Sequence, residues 1–172
     1  NLSLQTSSGP VSAANSALKV MVVDDEEDIR DEISDYLTSK GIPCITAGTG
    51  IHAMETLRTD SSIGVLLSDL LMPGLGGLDL LEAIDNEPAA DLEVVVITGH
   101  GGMAEAVGAL RCGVFDFLQK PLNLKHLRHI VEKAIEMTSL RRAQAHYQEN
   151  LRYEVAQQTR VIEQLMAQLS LA

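Results

Sequence analysis

Several residues able to do chemistry stand just past short apolar runs. Asp24 and Asp25 follow Lys19-Val20-Met21-Val22-Val23, and Asp69 follows Ile63 to Ser68. Thr98 closes the run Glu93 to Thr98, and Lys120 comes two residues after Val114 to Leu118. Three carboxylates gathered within several Å repel one another by about 1–4 kcal/mol per pair. A fold keeps such a cluster only when something neutralises it. A hard divalent cation with oxygen ligands does so, and Mg²⁺ takes one or two carboxylates, waters and a substrate phosphate. Lys120 offers a point positive charge to a phosphate oxygen, and Thr98 offers a hydroxyl donor. An aspartate beside a metal, a lysine and a threonine suits phosphoryl transfer to a carboxylate, with the positive charges spread against the equatorial oxygens. Taken singly, each residue has an ordinary explanation. Asp24-Asp25 reads as a helix-capping pair, Asp69 before a Pro-Gly loop as a turn residue, and Thr98 and Lys120 as nothing in particular. Their joint placement at successive strand ends is the specific signal.

The elements that must position them alternate. Strands are predicted at 19–23, 43–47, 63–68, 93–98 and 114–118, and helices at 26–40, 52–58, 78–84, 103–111 and onward from about Leu122. Acids crowd the first turn of the first helix, where its dipole favours them, and Gly41 stops it. The strands are continuous apolar runs, which need cover on both faces. The expected fold is therefore α/β, a doubly wound five-stranded parallel sheet with a long C-terminal coiled-coil helix. In such sheets the functional crevice lies at the carboxyl ends of the strands.

The chain has 172 residues, 45% of them apolar, with two Phe, three Tyr and no Trp, so Val, Leu, Ile, Ala and Met must build the core. Its net charge of −11 argues against a nucleic-acid surface on this segment. Lys19 to Lys125 holds 7 basic and 19 acidic residues, whereas His126 to Ala172 holds 6 and 5, so two physically different segments are expected. Cys44 and Cys112 have neither disulfide-scaffold nor zinc spacing and read as small buried hydrophobes in a reducing cytoplasm. No stretch reaches the length of a membrane span. Residues 1–18 carry no charge, five serines and a Gly9-Pro10 pair, and read as a flexible leader rather than a signal peptide.

From Leu127 one heptad frame runs to the end, with Leu127, Ala134, Arg141, Gln148, Val155, Ile162 and Leu169 at a. Ile130, Met137, Gln144, Leu151, Gln158, Leu165 and Ala172 stand at d. No Pro or Gly interrupts it after Pro121. The first two heptads can cover the sheet and the last three can form a two-stranded coiled coil, giving a homodimer. The polar centre at Arg141, Gln144 and Gln148 weakens the seam there. A helix marginal in solution is the alternative. His126, His129 and His146 lack a phosphoacceptor context and are expected to face solvent.

The stretches "VVDDEED", "LLSDLLMPGLGGLDLL", "VVVITGHG" and "GVFDFLQKPL" resemble the response-regulator receiver domains of two-component signalling. The likeness covers about Lys19 to Met137, roughly seventy per cent of the chain. It implies a flavodoxin-like receiver fold over 19–138, with 139–172 as the coiled-coil extension. It implies Asp69 as phosphoacceptor, and Mg²⁺ held by Asp25, Asp69 and the Leu71 carbonyl, with Asp24 acting through water. Thr98 and Lys120 would contact the phosphoryl group, Gly99 would leave the approach open, and Phe117 would turn inward with Thr98. The implied donor is a histidine kinase or phosphotransfer protein, in the cytoplasm. Gly76 stands where the family often has Asp, which implies a freer loop. Leu71 and His100 match positions that tune phosphoryl lifetime, and an apolar Leu71 implies a moderately long-lived state.

The segment "YQENLRYEVAQQTRVIEQL" looks like the connector preceding HD-GYP-type cyclic-di-GMP phosphodiesterase domains, although no HD or GYP motif is present. The chain itself is expected not to be an enzyme beyond self-dephosphorylation. Two other classes stay open. One is an Asp-nucleophile phosphatase acting on an exogenous ester, which resembles the haloacid-dehalogenase type but lacks its first-strand D-x-D. The other is a structural dimerisation module.

Overall fold

The computed structural model describes residues 17–72, 77–88, 90–99, 104, 108, 111 and 113–171. The elements are β1 (Lys19–Val23), α1 (Glu27–Ser39), β2 (Cys44–Ala47), α2 (Gly50–Thr59), β3 (Ile63–Asp69), α3 (Gly77–Asp85), β4 (Glu93–Thr98), β5 (Asp116–Gln119) and α4 (Leu124–Ser170). Of the helix expected at 103–111, residues 104, 108 and 111 are helical and the rest lie outside the described residues. Gly76, His100, Cys112 and residues 1–16 of the expected leader lie outside them too.

All strand pairs are parallel, in the order β2-β1-β3-β4-β5. The chain reverses direction across the sheet between β1 and β3, the switch point of a doubly wound fold. The continuous apolar runs are explained by alternation between two cores. Val20, Val22, Val65, Leu67, Val95 and Ile97 meet residues of α1 and α4 on one face. Met21, Val23, Leu66, Val94 and Val96 meet residues of α2 and α3 on the other. Burying each such side chain contributes about 1.5–3 kcal/mol.

Strand β5 is one residue shorter than the expected 114–118, starting two residues later and ending one residue later. Gly113 adopts a left-handed φ of 80°. The next residues only approach the sheet, with the Phe115 N–H donating to the Val94 carbonyl at 2.7 Å. Local caps set the helix starts. The Thr49 hydroxyl accepts from the His52 N–H at the start of α2, and the Asn123 side chain accepts from the His126 N–H at the start of α4.

Helix α4 runs 47 residues without interruption. Its first turns bury Leu127, Ile130, Val131, Ala134 and Thr138, and the Thr138 hydroxyl donates to the Gly64 carbonyl at 2.8 Å. Arg141, read from the heptad frame as part of a polar seam, instead lies against the base of the sheet. Its guanidinium pairs with Asp91 at 2.7 Å and with Glu93. Arg142 beside it donates to the carbonyls of Ser61 at 2.6 Å, Ile63 at 2.9 Å and Asp91 at 3.1 Å. From Ala143 to Leu171 every residue is exposed, a rod of about 40 Å. His126, His129 and His146 are exposed as expected. No described helix is long and apolar enough to cross a membrane.

Candidate functional site

Strand register brings the separate acids together. Val23 pairs with Ser68, and Asp69 pairs with Ile97, so Asp24, Asp69 and Thr98 leave neighbouring strands at one rim. Thr98 in turn pairs with Gln119, which puts Lys120 at the same rim. Carboxylate oxygens of Asp24, Asp25 and Asp69 lie within 4.8 Å of one another. Asp24 and Asp69 are buried, and Asp25 is exposed above them.

Asp69 is held at both oxygens. Oδ1 accepts from the Leu71 N–H at 3.0 Å, and Oδ2 receives the Lys120 ammonium at 3.0 Å. The same ammonium stands 3.6 Å from Asp24 Oδ2. Asp24 Oδ1 accepts from the Glu26 N–H at 2.9 Å, but Oδ2, fully buried, has no hydrogen-bond partner among the described residues. Burial pushes the Asp24 carboxyl up to about 6. The Glu26 N–H opposes that rise, Asp69 reinforces it, Lys120 opposes it and Asp25 adds to it. For Lys120, burial alone would lower the ammonium's pKa. The hydrogen bond and charge of Asp69, with Asp24 and Glu26, outweigh burial and raise it above its ordinary value.

An orphaned buried oxygen on a carboxylate that resists ionising is a donor set short of positive charge. The oxygens of Asp24, Asp25 and Asp69 fit a hard divalent cation such as Mg²⁺. The expected contribution of the Leu71 carbonyl is compatible with its place, since Leu71 follows Asp69 closely and its N–H already turns to that carboxylate. Leu71 is 57% exposed, at the open side of the site.

Thr98 is buried, and among the described residues its hydroxyl makes one long bond, 3.4 Å, to the Leu118 carbonyl. Phe117 pairs with Val96, so it lies on the same side of the sheet as Thr98, and it is 37% exposed. At Gly99 a β-carbon would meet nothing within 4 Å among the described residues. Cys44 is only partly buried, and burial pushes its thiol up to about 11, so it is a poor nucleophile at neutral pH.

One residue at the site escaped the sequence reading. Arg30, one turn into α1, donates through Nη1 to the Asp24 carbonyl at 2.6 Å. The available signal was that Arg30 is the sole cation between Asp24 and Asp35, a stretch crowded with acids.

The geometry agrees with the comparisons to known proteins. The response regulator receiver domain family model matches residues 20–132. The C4-dicarboxylate transport transcriptional regulatory protein DctD of Pseudomonas aeruginosa is 34% identical over 131 residues, 76% of this chain and 28% of that protein. The DNA-binding transcriptional regulator NtrC of Escherichia coli strain K12 is 37% identical over 130 residues, 76% of this chain and 25% of its own. The crystal structure of a response regulator receiver protein from Pseudomonas putida superposes with a TM-score of 0.66 at 35% identity, covering 69% of this chain and 98% of that one. The chain thus spans about a quarter of the length of these curated relatives.

Proposed function

The chain belongs to the response regulator receiver domain family, and from that premise we propose that it is a phosphorylation switch whose acceptor is Asp69. The observation that carries the assignment is Asp69 Oδ2 at 3.0 Å from the Lys120 ammonium, inside the three-carboxylate cluster. Of the three acids, Asp69 alone is nearly buried and also bonded to Lys120 within hydrogen-bond distance. In the proposed reaction an Asp69 oxygen attacks phosphorus of a phosphohistidine or acyl phosphate, and the P–N or P–O bond to the donor breaks. The leaving group departs with the bonding pair: an imidazole nitrogen takes a proton from solvent, whereas a carboxylate leaves as the anion.

Asp25, Asp69 and the Leu71 carbonyl would hold Mg²⁺, with Asp24 acting through water. The metal supplies charge that offsets the phosphoryl oxygens. Lys120 exchanges its bond to Asp69 for one to a phosphoryl oxygen. The weak Thr98 bond to Leu118 is readily redirected toward the same group, and Phe117 follows into the space on that side of β5. Phosphorylation adds charge beside existing carboxylates, so such a rearrangement must absorb it.

The proposed division is a receiver over 19–138 and an extension over 139–172. Strands β3 and β4 carry Asp69 and Thr98 at one end, and at the other are held by Thr138, Arg141 and Arg142 of α4. This supports α4 as the route to an output domain elsewhere in the intact protein. Leu151, Val155, Ile162, Leu165 and Leu169 are exposed at heptad spacing and would pair with a second copy. The two curated relatives named above are transcriptional regulators by name, whereas the helix sequence resembles an HD-GYP connector, and any coding sequence beyond Ala172 would discriminate between them. The proposed donor is a histidine kinase or phosphotransfer protein in the cytoplasm. Acetyl phosphate with Mg²⁺ should label the wild type and not Asp69→Asn; labelling of the variant refutes the assignment. Catalytic turnover of p-nitrophenyl phosphate would instead favour the phosphatase reading.

A further inference from the structure

Asp25 is exposed, and what aims its carboxylate is its backbone. The peptide before it ends in the Asp24 carbonyl, which accepts from Arg30 Nη1 at 2.6 Å. The peptide after it carries the Glu26 N–H, which donates to Asp24 Oδ1 at 2.9 Å. Asp24 is itself tied to β2, since its N–H donates to the Ala47 carbonyl at 3.3 Å. Both peptide planes flanking Asp25 are therefore held, one of them by a side chain from the next turn of α1.

Arg30 reaches that carbonyl because Gly48, just past β2, leaves room. A β-carbon at Gly48 would come within 3.1 Å of Arg30 Nη1 and 3.5 Å of its Cζ. The guanidinium thus lies between the end of β2 and the β1–α1 turn. A guanidinium carries several donors in a rigid plane, so it fixes a carbonyl in direction as well as distance. Residues behind metal ligands commonly change metal affinity by about 10–100-fold when lost.

We propose that Arg30 is a positioning residue that aims Asp25, and with it Asp24, at the divalent cation. The inference rests on the metal site assigned above. Its sign sets it apart from a simple charge effect. By Coulomb's law alone, removing a cation near an acidic cluster strengthens, if anything, binding of another cation there. Loss of aim weakens it.

The test is Mg²⁺ affinity of the full chain, measured by calorimetric titration and by the rise in urea midpoint that Mg²⁺ produces. Arg30→Met keeps the apolar stem and removes the donors. It should weaken Mg²⁺ binding about tenfold and shrink the Mg²⁺-induced midpoint rise. Gly48→Ala, which crowds the guanidinium while keeping its charge, should weaken binding in the same direction, and Arg30→Lys should recover part of the affinity. Arg58→Ala, a surface cation paired with Glu87, serves as the control and should bind Mg²⁺ as the wild type does. Unchanged or tighter binding by Arg30→Met, with the variant folded, overturns the proposal. So does a lowered midpoint with an undiminished Mg²⁺ increment, since that is general destabilisation. Absence of Mg²⁺ binding by the wild type would sink the metal site first.

Discussion

Replacing Asp24 with Asn removes a buried charge that the metal-free protein tolerates poorly. In the fold this carboxyl is raised from 3.8 to about 6, first by burial, with Asp69 and Asp25 adding and the Glu26 N–H and Lys120 opposing. The folded state therefore binds the proton more tightly than the unfolded chain. Stability from this group is complete below about pH 4, falls as pH rises toward 6, and stays low above it. A shift of roughly two units corresponds to about 3 kcal/mol, an upper value because neighbouring groups relax. Asn keeps an acceptor for the Glu26 N–H and preserves shape, so the variant should be about 1–3 kcal/mol more stable near neutral pH. The assay is urea unfolding near pH 7.5 and near pH 4, each with and without Mg²⁺. The gain should appear at the higher pH without Mg²⁺ and fade at the lower pH. Millimolar Mg²⁺ should stabilise the wild type and narrow the difference. A variant less stable than wild type at neutral pH, or a gain independent of pH, would show that Asp24 is not under electrostatic stress.

Three further outcomes follow from the helix and from the open side of the site. Arg142→Ala removes donors from three carbonyls at the base of the sheet and should cost about 1–3 kcal/mol by thermal or urea unfolding, with earlier proteolytic cleavage after residue 138; unchanged stability would refute the clamp. The wild type is expected to sediment as the proposed dimer, and Ile162→Asp, which places a charge in the exposed apolar stripe, should sediment as a monomer while keeping acetyl phosphate labelling; a monomeric wild type refutes the pairing, and an unaltered dimer would move the interface elsewhere. With apolar Leu71 on the open side of Asp69, attacking water should be hindered, and the phosphorylated chain should decay over minutes or longer; decay within seconds contradicts that role.

The fold was legible because its signals are local. Continuous Val and Ile runs need cover on both faces, and the two interleaved cores show how they obtain it. The apolar run starts β5 two residues early, at Val114, because Val114 and Phe115 look like strand, whereas Gly113 turns the chain and, among the described residues, one hydrogen bond joins them to β4. Arg141 was misread for a related reason. A heptad frame records which face a residue occupies, not whether that face meets a second helix or the chain's own sheet.

By itself the sequence determined the element order, the apolar faces and which acids, threonine and lysine end the strands, since spacing and hydrophobic period act within a few residues. Only the tertiary structure decided that β1 lies between β2 and β3, which sets Asp24 beside Asp69 and brings Lys120 to both. It alone decided the work of Arg30 and Arg142, whose long side chains seek backbone carbonyls. Every residue carries a carbonyl, so a sequence pattern does not mark which one a guanidinium will reach; packing brings Ile63 to Arg142 across 79 positions of chain.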